Sequence, residues 1–112
     1  MVSVREAIES GDFEAFSSAL APDVVWVGAA PGQLCRNRDE VLDTFRRALE
    51  AGRNARPEIL AETEDMLVVD PHVDPPPDLN PQLHQVLVVD EDRVVEIRDF
   101  PDRRRALEAV GL

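Results

Sequence analysis

Apolar residues recur at helical spacing in the first half of the chain and form short strand-like runs in the second half. In 13–20 and 41–49 they return every three or four residues, which is the period of an amphipathic helix. The later runs are apolar and bounded by polar turn residues, which predicts strands. These runs span 57–63, 66–70, 82–90 and 93–100. Helices first and strands later are typical of an α+β fold rather than of βαβ units.

Capping residues predict where the helices begin and end. Ser3 opens a capping box, and Gly11 is placed to end the first helix. Asp12 caps a second helix, which Pro22 is expected to stop. A further capping signal at 37–40 begins the third helix.

The segment 70–81 interrupts the strand pattern with prolines among acidic residues. Proline lacks a backbone N–H, so this segment cannot pair as a central strand and is predicted to be a stiff, polyproline-like excursion. Three interpretations stay open: a plain surface connection, a functional lid, or a binding segment for a basic protein at 74–77.

The last two strands are predicted to form a hairpin with its turn at 91–92. Counting outward from this turn places His84 directly opposite Asp99, next to an apolar face that predicts a pocket wall with a polar end. The apolar residues of that face are Val86, Val88, Val95 and Ile97.

Composition narrows the function classes. The 112 residues predict one domain, 1–112, and the formal net charge of -11 argues against nucleic acid or an anionic membrane as partner. No apolar run has membrane-spanning length. A single cysteine fits a reducing cytoplasm, and no close metal-ligand spacing is present, so neither a metal nor a cofactor is predicted.

The order of elements resembles the nuclear transport factor 2-like superfamily, and within it the SnoaL-like branch. The matching stretches are AIESGDFEAFSSALAPDVVWVG, CRNRDEVLDTFRRALEAG and VLVVDEDRVVEIRDFPDRRRALEAVGL. The resemblance implies a cone-shaped, curved antiparallel sheet wrapped around N-terminal helices (a cystatin-like roll), with a short C-terminal helix. It also implies a homodimer through the outer sheet face. That face is predicted to carry Leu83, Gln85, Leu87, Val89, Val94, Glu96, Arg98 and Phe100.

Relatives of this kind include cyclases, isomerases and dehydratases, which suggests acid–base chemistry on a small apolar carbonyl compound. In that hypothesis His84 is the general base and Asp99 orients it, or Asp99 transfers the proton itself. The competing hypothesis is a non-catalytic ligand-binding or dimerisation module of the same fold.

Three further residues are candidates for the pocket. Trp26, on a predicted strand at 24–27 ahead of a loop at 28–32, is placed to stack on a flat ligand or to pack in the core. Arg36 is a candidate for binding an anionic substrate group, with surface placement as the alternative. His72 is placed either at the pocket mouth or in solvent.

Two activities of the relatives are disfavoured. The chain has no tyrosine, so the tyrosine donor of the steroid isomerases is missing. Epoxide hydrolase chemistry needs an arginine and aspartates converging in the cavity. Here Arg98 and Asp99 are adjacent on one strand and are expected to point to opposite faces.

Overall fold

The computed structural model describes residues 3–28, 32–76 and 80–112. The helices in these ranges are α1 Val4–Ser10, α2 Phe13–Ala19, α3 Arg38–Glu50 and α4 Arg103–Ala109. The strands are β1 Leu20–Val27, β2 Leu34–Cys35, β3 Glu58–Glu62, β4 Met66–Asp70, β5 His84–Asp90 and β6 Arg93–Phe100. Within these described ranges no helix combines the length and the apolar character needed to cross a membrane.

The predicted caps are confirmed. Ser3 Oγ accepts a hydrogen bond from the Glu6 backbone N–H at 3.2 Å, and Gly11 follows α1 with a φ of 67°. Asp12 begins α2 in the same way, and Asn37 Oδ1 accepts from the backbone N–H three residues on at 2.9 Å. Because each side chain satisfies an amide at its own helix start, local sequence alone places these helices.

The sheet has the strand order β2-β1-β6-β5-β4-β3 and is curved, which confirms the predicted α+β fold. Neighbouring strands are antiparallel except β1 and β6, which are parallel. The second helix ends earlier than predicted, because the chain leaves it after Ala19 and Leu20 already belongs to β1. Pro22 lies within that strand, where the register with β6 is irregular. The short strand β2 was not predicted.

The predicted register of the β5–β6 hairpin is wrong by one residue beyond the turn. Glu91 and Asp92 occupy the turn with φ of 51° and 61°, as a tight hairpin turn requires. Val89 pairs with Val94 as expected, but Val88 pairs with Glu96.

The residue between, Val95, is therefore an extra residue on β6, which is a β-bulge. Past it, Gln85 lies opposite Asp99 and His84 lies opposite Phe100. The predicted His84–Asp99 pair does not exist, because regular alternation of the two strands holds only up to the bulge.

Two apolar clusters lie on opposite faces of the sheet. The larger one, on the face covered by α1, α2 and α3, includes the fully buried Leu20, Val94 and Ile97. The smaller one lies beneath α4 and includes Val68, Val86, Ala106 and Phe100. Leu83, Gln85, Leu87, Val89 and Val94 were predicted on the outer face. The structure places Leu87, Val89 and Val94 with the larger cluster, and it places Leu83 and Gln85 against the cavity on the same side.

The first part of the proline-rich segment is held against the chain that follows α3. The backbone N–H of Asn54 donates to Asp74 O at 2.9 Å, and that of Asp74 donates to Asn54 O at 2.8 Å. The Arg56 backbone N–H donates to Pro71 O at 2.9 Å. Residues 29–31 of the predicted loop and 77–79 of the proline-rich segment lie outside the described residues.

Candidate functional site

A cavity of about 590 Å³ lies between the helices and the inner face of the sheet. That volume is within the usual range for a site that binds a small molecule. Its wall is largely apolar and comes from α1, α2, α3, four strands and the segments on either side of β3 and β4. The bulkier apolar lining residues are Ile8, Phe13, Phe16, Trp26, Phe45, Leu49, Val69, Leu83 and Leu87.

Three aromatic rings form a continuous group in this wall. Trp26 and Phe45 are stacked with ring centroids 4.8 Å apart and an interplanar angle of 18°. Phe16 meets Phe45 edge-on at 5.1 Å. Stacked and edge-on rings of this kind hold one another in place, so the cavity has a rigid apolar side suited to a flat ligand.

The carboxyl group of Asp99 lies in the same cavity and is held by two donors. Trp26 Nε1–H donates to Oδ1 at 2.8 Å, and Gln85 Nε2–H donates to the same oxygen at 2.9 Å. Within residues 3–28, 32–76 and 80–112, Oδ2 accepts no hydrogen bond from the protein. The two bonds therefore fix the orientation of the carboxyl group through one of its oxygens.

Burial in the apolar cavity raises the pKa of Asp99 above its ordinary value, because desolvation disfavours the charged form. The hydrogen bonds from Trp26 and from Gln85 each lower the pKa, but by less than burial raises it. Asp99 is thus a half-buried carboxyl group whose proton affinity is increased by its surroundings.

Replacing Trp26 by phenylalanine is expected to raise the pKa of Asp99 further, since it removes a donor that stabilises the carboxylate. The titration of the Asp99 carboxyl carbon by NMR measures this shift. Phe13→Leu, another change of a lining aromatic, is the control and should leave the midpoint unchanged. A midpoint that falls in Trp26→Phe would contradict the assigned role of the indole N–H.

The structure places both histidines away from this cavity. His84 Nδ1 lies 2.8 Å from Gln82 O, and its Nε2 lies 3.5 Å from Asp70 Oδ2. His72 Nε2 lies 3.0 Å from Glu58 Oε1, and both histidines line a separate, smaller cleft. His84 was predicted to share the pocket with Asp99 and does not, because the bulge shifts the pairing by one residue.

The other predicted lining residues are distributed over the molecule. Val86 packs beneath α4 on the opposite face, and Ile97 is buried in the larger cluster without lining the cavity. Val88 and Val95 are half-buried outside both clusters, and Arg36 is exposed. Of the predicted pocket-lining residues, Trp26 is in the cavity wall.

Several polar lining residues were not predicted, including Gln85, Arg53 and Asn54. Gln85 carried a signal in the sequence, because it is a lone amide in an apolar strand. In the structure it is buried, with 7% of its surface exposed. Arg53 carried none, because an arginine after a helix-ending glycine is ordinarily a surface residue. Across the ranges that the structure describes, no group of three or more histidine, cysteine or carboxylate side chains is arranged to hold a metal ion.

An open, curved six-stranded sheet with N-terminal helices and a short C-terminal helix is the arrangement of a cystatin-like α+β domain. The family model described as the SnoaL-like domain matches residues 3–74. The chain therefore belongs to the SnoaL-like family, within the nuclear transport factor 2-like superfamily.

Solved structures agree on the fold. A provisionally assigned polyketide cyclase from Sinorhizobium meliloti superposes with a TM-score of 0.64 at 20% identity, covering 87% of this chain and 89% of that one. A protein of the same superfamily, of unknown function, from Burkholderia pseudomallei gives 0.61 at 22%, covering 97% and 95%. A protein with a cystatin-like fold from Xanthomonas campestris gives 0.64 at 19%, covering 96% and 91%. No curated protein matches the chain significantly.

Proposed function

We propose that this protein is an enzyme that moves a proton at a carbon next to a carbonyl group of a small, largely apolar molecule, with Asp99 as the proton-transfer group. The observation that supports this most directly is the carboxyl group itself. It lies in an apolar cavity, is oriented through one oxygen, and has the other oxygen available.

In the proposed reaction, the Asp99 carboxylate takes a proton from the carbon next to the carbonyl. The electron pair of the broken C–H bond forms an enolate. Asp99 then returns the proton at another carbon for an isomerisation or to a leaving hydroxyl for a dehydration. For a cyclisation, the enolate carbon attacks a second carbonyl, and the oxygen of that carbonyl takes the proton back from Asp99. His84 takes no part in this scheme because it lines the other cleft.

The raised pKa of Asp99 suits this role. A general base works best when its pKa is close to the working pH, because it must accept a proton readily and still be ionised. An ordinary aspartate is too weak a base at neutral pH, and burial moves Asp99 in the useful direction. The superposing structure from Sinorhizobium meliloti is provisionally assigned as a polyketide cyclase, and cyclisations of that type begin with an enolate.

The test is the exchange of the protons next to the carbonyl of β-tetralone, a flat apolar ketone, in heavy water, followed by proton NMR. The wild-type protein is expected to accelerate exchange above the buffer rate, and Asp99→Asn is expected to return it to that rate. Binding is checked in the same samples through the Trp26 indole resonance. A ketone that binds without faster exchange would contradict the proposal and favour a non-catalytic binding module.

A further inference from the structure

The backbone of Arg53 is fixed by the end of α3. The Gly52 backbone N–H donates to Leu49 O at 3.0 Å, and the Arg53 N–H donates to Ala48 O at 3.0 Å, which is the paired arrangement of a Schellman motif. Gly52 has a φ of 84°, which its lack of a side chain permits. The C-terminal end of α3 therefore fixes the backbone position of Arg53.

The next residue is fixed from the other side. Asn54 pairs with Asp74 through two backbone hydrogen bonds, so the chain on both sides of Arg53 is held. From this fixed position the Arg53 side chain lines the large cavity. It is the one arginine, lysine or histidine side chain among the described residues that line it.

The guanidinium of Arg53 has no anionic partner in the part of the chain that the structure describes. Its Nε is buried and has no hydrogen-bond acceptor. The chain has 23 acidic and 12 basic residues, yet none of the described carboxylates forms an ion pair with Arg53. A buried donor without a partner is destabilising, so we look for its acceptor outside the described residues, in a ligand of the cavity.

We propose that the ligand of the cavity carries a carboxylate and that Arg53 binds it. The two parallel N–H groups formed by Nε and one Nη of a guanidinium match the two oxygens of a carboxylate. A single guanidinium balances a single negative charge, whereas a phosphate group carries more charge than this wall offsets. The other charged lining groups, Asp12 and Asp99, are carboxyl groups and do not attract an anion.

This inference rests on the proposed function, since it names the class of molecule on which Asp99 acts. A carboxylate held at Arg53 and an apolar body against the Trp26–Phe45 stack give the ligand one orientation in the cavity. Arg53 then determines which carbon of the ligand meets Asp99. It is a specificity-determining residue rather than a catalytic one.

Calorimetric titration with β-naphthoate and its neutral isostere β-naphthamide tests the inference. The wild-type protein is expected to bind the carboxylate at least about 10-fold more tightly, which is the size of one charge-assisted hydrogen-bonded contact. Arg53→Gln should remove this preference by weakening the carboxylate alone, and Arg53→Lys should restore part of it. Arg36→Gln, which removes an exposed arginine outside the cavity, should leave the preference unchanged.

Equal binding of the two probes, binding of neither, or a preference that survives in Arg53→Gln would each overturn the inference. Asp99→Asn separates it from the proposed function. If the wild-type protein does not accelerate proton exchange of β-tetralone, but both wild type and Asp99→Asn prefer the carboxylate probe, the proposed reaction fails and the ligand class stands. If the wild-type protein accelerates proton exchange of β-tetralone through Asp99 but shows no preference for the carboxylate probe, the ligand class fails and the proposed reaction stands.

Discussion

Asp99→Asn is expected to lower the rate of β-tetralone proton exchange at least about 100-fold, the usual contribution of a positioned general base. Asparagine keeps the shape of the side chain, and its oxygen still accepts from Trp26 and Gln85. The amide cannot take up a proton at neutral pH. The loss therefore reports on proton transfer rather than on the shape of the cavity.

The same substitution is expected to raise the melting temperature at neutral pH. The pKa of Asp99 is higher in the folded protein than in the unfolded chain, so its protonated form favours folding. This stabilisation is fully present at pH values below the pKa that Asp99 has in the unfolded chain. That contribution is lost as the pH rises through the folded pKa. At neutral pH the charged form of Asp99 costs the folded wild-type protein free energy through desolvation, and the neutral asparagine avoids that cost.

Thermal unfolding at several pH values measures this effect. The gain in Asp99→Asn should be largest at neutral pH and should shrink in acid, where Asp99 is protonated in the folded wild-type protein. Asp23→Asn is the matched control, since Asp23 is exposed and outside the cavity. It should retain the exchange rate and show no such gain. A variant that loses both activity and stability would mean that the Asp99 charge supports the fold.

Val94→Ala is expected to lower the free energy of unfolding by about 2–3 kcal/mol, because it removes two buried methyl groups and leaves a cavity. Val94 is 0% exposed within the larger cluster. The same substitution at its neighbour Val95, which is half-buried and outside both clusters, should lower it by less than about 1 kcal/mol. Urea unfolding of the two variants makes the comparison.

This pair tests the bulge directly. Without the bulge, the regular register would place Val95 on the inner face and Val94 on the outer one. Comparable losses at the two positions, or a larger loss at Val95, would rule out the bulged pairing. The bulge also shapes the candidate site, because it brings Val94, Ile97 and Asp99 to the same face of β6.

Much of the fold was predictable because its signals are local. Ser3, Asp12 and Asn37 each cap a helix by bonding to an amide within three residues. The β5–β6 turn at 91–92 is likewise set by the residues that form it. Such interactions do not depend on the rest of the chain, so they can be predicted from the sequence.

The candidate site was only partly predictable. The sequence identified Asp99 and Trp26, but it joined Asp99 to the wrong partner. A bulge has no local signal in an apolar run such as VVEI. It forms because it lets the apolar side chains of β6 fill the space beneath the helices, and that energy exists only once the sheet and the helices have met.

The sequence by itself therefore determined where the capped helices begin, the order of the elements apart from β2, the hairpin turn and the family. Tertiary structure decided which face each residue of β5 and β6 presents, and it brought Gln85 and Arg53 into the cavity. The distinction has one physical cause. Caps and turns are satisfied by neighbours in sequence, whereas strand register and cavity walls are set by packing between residues far apart in the chain.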